Sequence, residues 1–141
     1  MSLMSATLID TSPLVAIANA REGLVHRKCV RLLKNSEQIF VTTLPVLTET
    51  MYFLGEAGGW HLQERIWKLL AGGSISVFDL TENTLHRMSE LMSTYRDTPM
   101  DFADASLVAA AETLNTSKIF TLDSDFSIYR LNGKTTFEII P

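Results

Sequence analysis

Asp101 and Asp104 stand three residues apart where an alanine-rich apolar stretch begins, Met100-Asp101-Phe102-Ala103-Asp104-Ala105-Ser106-Leu107-Val108. In a helix each residue advances about 100°, so the two carboxylates lie roughly 60° apart on one face. Val108 and Ala111 continue that face inward, which aims Asp104 at or near the core. Two chemistries suit such a pair. One is local: Asp101 as helix N-cap, with Asp104 replacing the usual Glu of a capping box. The other is metal binding, which needs further carboxylates at the same place. Asp10 ends the run Ala6-Thr7-Leu8-Ile9, and Asp123 ends Lys118-Ile119-Phe120-Thr121-Leu122. Glu49 lies about two turns into an apolar stretch among Leu47, Met51, Tyr52 and Phe53, but with polar Thr48 and Thr50 beside it, solvent suits it equally.

The elements that must position these acids follow from pattern. Residues 6–9 and 38–42 read as β-strands, 75–78 as a third, 118–122 as a fourth and 136–140 as a last. Ser12-Pro13 marks a helix start, giving a small helix over 13–20, and 24–35 place Leu and Val against Arg and Lys at helical spacing. Thr43 is positioned to cap a helix over 44–57 that ends at Gly58-Gly59, and 60–71 form another closed by Gly72-Gly73. Thr81 caps a long helix to about Tyr95, the helix over 101–114 follows the Asp97-Thr98-Pro99 break, and 124–130 make a short helical turn. Strands alternating with helices imply an α/β fold with a parallel sheet covered on both faces.

Side chains just past the carboxyl ends of parallel strands gather along one edge of the sheet. Asp10 and Asp123 belong to that edge. Asp104 precedes Asp123's strand, so simple topology sends it to the opposite end, unless the helix over 81–95 returns the chain across the sheet and residues 97–100 bring the next helix back.

The series Ile9-Asp10-Thr11-Ser12, a lone helical Glu49, Asp101-Phe102-Ala103-Asp104-Ala105 and Thr121-Leu122-Asp123-Ser124-Asp125-Phe126 resembles the PIN-domain nucleases, most of all their VapC-type toxin branch. The resemblance spans nearly the whole chain in order. It implies a three-layer α/β/α domain over residues 4–141 with a central parallel sheet of four to five strands. Asp10, Glu49, Asp104 and Asp123 then correspond to an acidic quartet that binds Mg²⁺ or Mn²⁺, Asp10 and Asp104 directly or through water, Glu49 and Asp123 positioning the water or a second ion. Thr11 or Ser12 corresponds to a supporting hydroxyl. Asp101 beside Asp104, and Asp125 beside Asp123, are neighbours with supporting roles. The implied reaction is hydrolysis of RNA that leaves a 5′ phosphate, and the implied partners are a second copy of the chain and a small antitoxin laid across the first two helices. A free-standing PIN nuclease of RNA processing and a catalytically silent interaction module are the alternatives, the latter at odds with retention of all four acids.

Composition agrees with this and excludes other classes. Of 141 residues, 46% are hydrophobic, enough for a sizeable core. Sixteen acidic against 12 basic residues give a net charge of −4, so overall positive charge does not hold a nucleic acid. With four acids gathered around a metal, the remaining charges balance. Arg27, Arg31 and Lys34 form one helical stripe, a solvated face in the simpler reading and a phosphate-binding surface in the other. Cys29 is the lone cysteine, no run reaches the roughly 20 apolar residues of a membrane span, and no signal-peptide pattern opens the chain, so a cytoplasmic protein is expected. Met1-Ser2-Leu3 ahead of Met4 reads as an expression scar. His26 and Cys29 lack the second pair a zinc site needs, and neither a Walker sequence nor a hydrolase triad is present.

Overall fold

The computed structural model describes residues 5–141; Met1-Ser2-Leu3 lie outside the described residues. Thirteen elements follow in order: β1 (Ala6–Ile9), α1 (Thr11–Ala18), α2 (Leu24–Asn35), β2 (Ile39–Thr42), α3 (Leu44–Gly58), α4 (Trp60–Ala71), β3 (Ile75–Val77), α5 (Glu82–Thr94), α6 (Phe102–Leu114), β4 (Lys118–Phe120), β5 (Arg130–Leu131), β6 (Thr135–Thr136) and β7 (Glu138–Ile140). The central sheet has five strands in the order β3-β2-β1-β4-β7, every pair parallel, as expected for an α/β chain. Leu8 and Ile9 in β1 and Ile119 and Phe120 in β4 are fully buried, because helices flank the sheet and cover the inner part of its middle strands.

α6 explains its own composition. Every residue from Ala103 to Ala111 is buried, so this helix has no solvent face, and small side chains let it approach its neighbours closely. Arg87 of α5 grips Glu112 of α6 through two hydrogen bonds of 2.7 and 3.0 Å, and the same carboxylate accepts from the Asn132 backbone N–H at 2.8 Å. One ion pair thus ties two helices to the β5–β6 hairpin.

Four local readings are corrected. The first helix begins at Thr11 rather than Pro13, and Asp10, not Ser12, is its N-cap; Pro13 still sits in the first turn, where a missing N–H costs nothing. Thr43 occupies the N-cap of α3, but its hydroxyl bonds Ser106 instead of capping the helix. The helical turn over 124–130 is a single 3-10 turn over Ser124–Ser127. The last strand divides: Thr135–Thr136 pair antiparallel with Arg130–Leu131, Phe137 turns into the core, and only Glu138–Ile140 join the main sheet. Periodicity over 136–140 is continuous, so the switch of sheets leaves no trace in the pattern.

Candidate active site

Asp10 leaves β1 and immediately starts α1, so its carboxylate stands at the sheet edge in a turn with no spare residue. Its backbone N–H bonds the Phe120 carbonyl at 3.0 Å, locking that turn to β4. Both of its oxygens are held: Oδ1 accepts from the Thr11 N–H and Oδ2 from the Thr121 hydroxyl, each at 2.8 Å. Thr121 Oγ1 also accepts from the Asp123 N–H at 3.0 Å, and Asp123 Oδ1 accepts from the Asp125 N–H at 2.9 Å. A chain of donors therefore runs from Asp10 through Thr121 to Asp123. Ser12 Oγ accepts from the Leu122 N–H at 3.2 Å and fastens the two turns together.

Asp104 arrives from α6. Asp101 is the N-cap, accepting from the Asp104 N–H at 2.8 Å, while Asp104 Oδ2 accepts from the Asp101 N–H at 3.2 Å, a complete capping box. The helix opens at the sheet's carboxyl edge because Ser106, one turn in, shares a 2.6 Å hydrogen bond with Thr43 just past β2. That bond answers the topological difficulty. Asp104 is both a capping residue and 94% buried, at 6% exposure.

Single oxygens of Asp10, Asp104 and Asp123 lie within 4.8 Å of one another. They line an open pocket of about 450 Å³ together with Thr11, Ser12, Glu49 and Asp101, and an apolar wall contributed by Val15, Val25 and Phe53. Glu49 is half-buried on that wall rather than turned to solvent, outside the tight trio. Asp125 is not on the pocket wall; its backbone, not its carboxylate, serves Asp123. Arg27, Arg31 and Lys34 are exposed and do not line the pocket, which α2 approaches through Val25. His26 bonds the Ala16 carbonyl at 2.7 Å and Cys29 is buried in the core, so these two hold α2 to α1.

The electrostatics record the crowding. Burial, augmented by the Asp123 and Glu49 charges, raises Asp10 to about 6 against the pull of its Thr11 and Thr121 donors. Asp104 is pushed up to about 8, chiefly by burial and then by Asp101, Asp10 and Asp123. Burial also raises Glu49, opposed by the Thr11 hydroxyl. That hydroxyl is buried and has no partner at full hydrogen-bonding geometry. The ion pairs among the described residues are Lys68–Glu64, Arg87–Glu90 and Arg87–Glu112, so no basic side chain neutralises the trio. A hard divalent cation fits this donor set: clustered carboxylate oxygens, mutual repulsion and one unpaired hydroxyl beside them.

Thr121 and Tyr129, which donates to Asp104 Oδ2 at 3.2 Å, were not signalled as site residues by the sequence. Thr121 had a readable sign, a hydroxyl two residues before an acid, the spacing of a local turn. Tyr129 had none.

Comparison with known proteins agrees with the fold. Ribonuclease VapC26 of Mycobacterium tuberculosis is 28% identical over 135 residues, which are 95% of this chain and 99% of that protein. The crystal structure of Mycobacterium tuberculosis VapC20, a Sarcin-Ricin loop cleaving toxin, superposes with a TM-score of 0.78 at 22% identity, covering 88% of this chain and 94% of the other. VapBC2 from Rickettsia felis, bound to a DNA fragment from its promoter, gives 0.66 at 14% identity, covering 95% and 98%. The PIN domain family matches residues 7–131, and β7 beyond them completes the same sheet. With the acids of β1, α6 and the β4 turn gathered at one edge of that sheet, the chain belongs to the PIN domain family.

Proposed function

We propose that this chain is a divalent-metal-dependent endoribonuclease, the toxin half of a toxin–antitoxin pair acting in the cytoplasm. The carrying observation is the convergence of Asp10, Asp104 and Asp123 within 4.8 Å at an open pocket with no basic side chain among them. The RNA substrate rests on PIN membership and on likeness to a ribonuclease over almost the full length of both chains.

Asp10 and Asp104 would hold Mg²⁺ or Mn²⁺ directly or through water, with Asp123 completing the set. Bound there, the ion supplies Lewis acidity at the phosphoryl oxygens and charge compensation at the departing oxygen. Glu49, on the pocket wall and with its carboxyl raised above the usual range by burial, accepts a hydrogen bond from the attacking water and orients it. The water oxygen bonds phosphorus and passes a proton to Glu49 as the bond to the 3′ oxygen breaks, and the departing oxygen takes a proton from solvent, leaving a 5′ phosphate and a 3′ hydroxyl. Thr121 and the Thr11 N–H keep Asp10 aimed throughout. Ser12 keeps the two acid-bearing turns together.

Two exposed apolar surfaces favour the toxin reading over a free-standing enzyme. Leu24 and Val25 of α2, Phe53 of α3 and Trp60 of α4 are solvent-exposed, and Val25 and Phe53 reach the acidic pocket itself. An antitoxin segment lying there would cover the site. A separate apolar groove between α3, α5 and the start of α6 suits a second copy of the chain.

Wild type and Asp104→Asn, compared on a mixed RNA panel with Mn²⁺, Mg²⁺ or EDTA, test the proposal. Wild type should cut only with metal, and the variant should lose at least about 100-fold in rate while keeping its thermal midpoint near or above that of wild type. Cleavage in EDTA, or by the variant at the wild-type rate, overturns the assignment.

A further inference from the structure

Tyr129 is the largest fully buried side chain in the molecule, and its hydroxyl lies 3.2 Å from Asp104 Oδ2. Burying a hydroxyl costs free energy unless it is hydrogen-bonded, and this one donates to Asp104. Packing alone does not call for it. Phe126 and Phe137 fill the adjoining core without a polar atom, and a phenylalanine at 129 would make the same edge-to-face contacts.

The ring cannot wander. It meets Tyr95 at 5.2 Å between centroids and 70°, and Phe126 at 5.1 Å and 85°. Tyr95 in turn accepts the Arg130 N–H at 3.0 Å, so the backbone beside Tyr129 is fixed by the residue that packs on its ring. The hydroxyl is delivered to one place.

What it does there follows from which oxygen it meets. Oδ2 of Asp104 receives both Tyr129 and the Asp101 N–H, each at 3.2 Å, while Oδ1 has no hydrogen-bond partner among the described residues. Two modest donors on one oxygen set the plane of the carboxylate and leave the other oxygen for a cation. Asp10, by contrast, is held on both oxygens and Asp123 on one. Asp104 sits on a different element from those two, so its aim depends on a contact from outside α6.

We propose that Tyr129 is a positioning residue of the metal site: its hydroxyl orients Asp104 so that the carboxylate meets a divalent cation jointly with Asp10 and Asp123. The inference rests on the metal-dependent reading above. A partner that orients a ligating carboxylate changes metal affinity about 10- to 100-fold when removed.

Tyr129→Phe deletes one oxygen and keeps the ring. Mn²⁺ binding, followed by calorimetry or by the electron-spin signal of the free ion, should weaken about tenfold. RNA cleavage should need correspondingly more Mn²⁺, with the KM for RNA unchanged and much of kcat recovered at saturating metal. Thr7→Val is the control, since it loses a buried hydroxyl that donates to Gln38 and touches neither an acid nor Tyr129, and it should bind Mn²⁺ as wild type does. Unchanged Mn²⁺ affinity in Tyr129→Phe, or an equal loss in Thr7→Val, overturns the proposal, the second by showing that loss of a buried hydroxyl remote from the acids has the same effect. Wild type that binds Mn²⁺ but leaves RNA intact sinks the nuclease reading alone, and the Tyr129→Phe comparison still decides. Wild type that binds no Mn²⁺ sinks both.

Discussion

Asp10 and Asp104 carry opposite demands: ionised, they suit a cation, but without one each sits beside other acids in a site that burial makes hostile to charge. Their carboxyls are raised to about 6 and about 8 in the fold, whereas an unfolded chain restores ordinary values near 3.8. The folded state therefore holds protons that the unfolded state has released, and its stability is lost as pH climbs through those two values. In EDTA the thermal midpoint should fall from about pH 5.5 to about pH 8.5, and Mn²⁺ added at the upper end should restore it. A midpoint that is flat or rises over that window in EDTA refutes the account of crowding. At this scale the sequence was legible only where function and local structure share a residue. Asp10, Asp104 and Asp123 each end a strand or open a helix, and pattern finds such places. Tyr129 reaches Asp104 across 25 positions from the residue just ahead of β5, and nothing local distinguishes it from the core aromatics around it.

At the scale of elements, the decisive piece is the first turn of α6, where one capping box serves both the helix and the site. Asp101 caps through its side chain, but the bond to Asp104 Oδ2 comes from its backbone N–H, which any residue supplies. Asp101→Ala should cost about 1 kcal/mol of stability, with Asp101→Asn nearly neutral. Mn²⁺ affinity in the alanine variant should stay within about threefold of wild type, because an oriented donor remains on Asp104. Denaturant unfolding and a Mn²⁺ titration check the two halves separately; a tenfold loss of Mn²⁺ affinity in the alanine variant would make Asp101 itself a site carboxylate. The helix was easy to read, its location was not. Strand order and loop length leave open which end of the sheet α6 starts from, and the deciding contact is Thr43 to Ser106, 63 residues apart. The family resemblance, by grouping Asp104 with Asp10 and Asp123, implies that placement, whereas the residue pattern does not. Where strand 136–140 divides, a run of apolar and β-branched residues fits either sheet, and the choice is made by Phe137 turning into the core.

For the whole molecule, the unsettled surface is the apolar groove of about 760 Å³ between α3, α5 and the start of α6, lined by Leu44, Tyr52, Leu85 and Phe102. All four are exposed, Tyr52 by 63% and Leu44 by 60%, so a lone chain leaves a contiguous apolar patch in water. The groove also shares Glu49 and Asp101 with the acidic pocket, so a copy docked there would set two sites along one surface. A two-fold dimer presents the same patch from both sides, which makes any charge placed on it a repulsion met twice. For the proposed dimer, Tyr52→Glu combined with Leu85→Glu should therefore give the mass of one chain by light scattering at concentrations where wild type should give the mass of two. Because both side chains face solvent in the isolated fold, the thermal midpoint of that monomer should fall only by the loss of the interface. Trp60→Ser with Trp67→Ser alters a different face, on α4, and should leave the dimer's mass unchanged. If the glutamate pair keeps the dimer and the tryptophan pair breaks it, the second copy docks on α4, and the groove beside Glu49 is open to RNA.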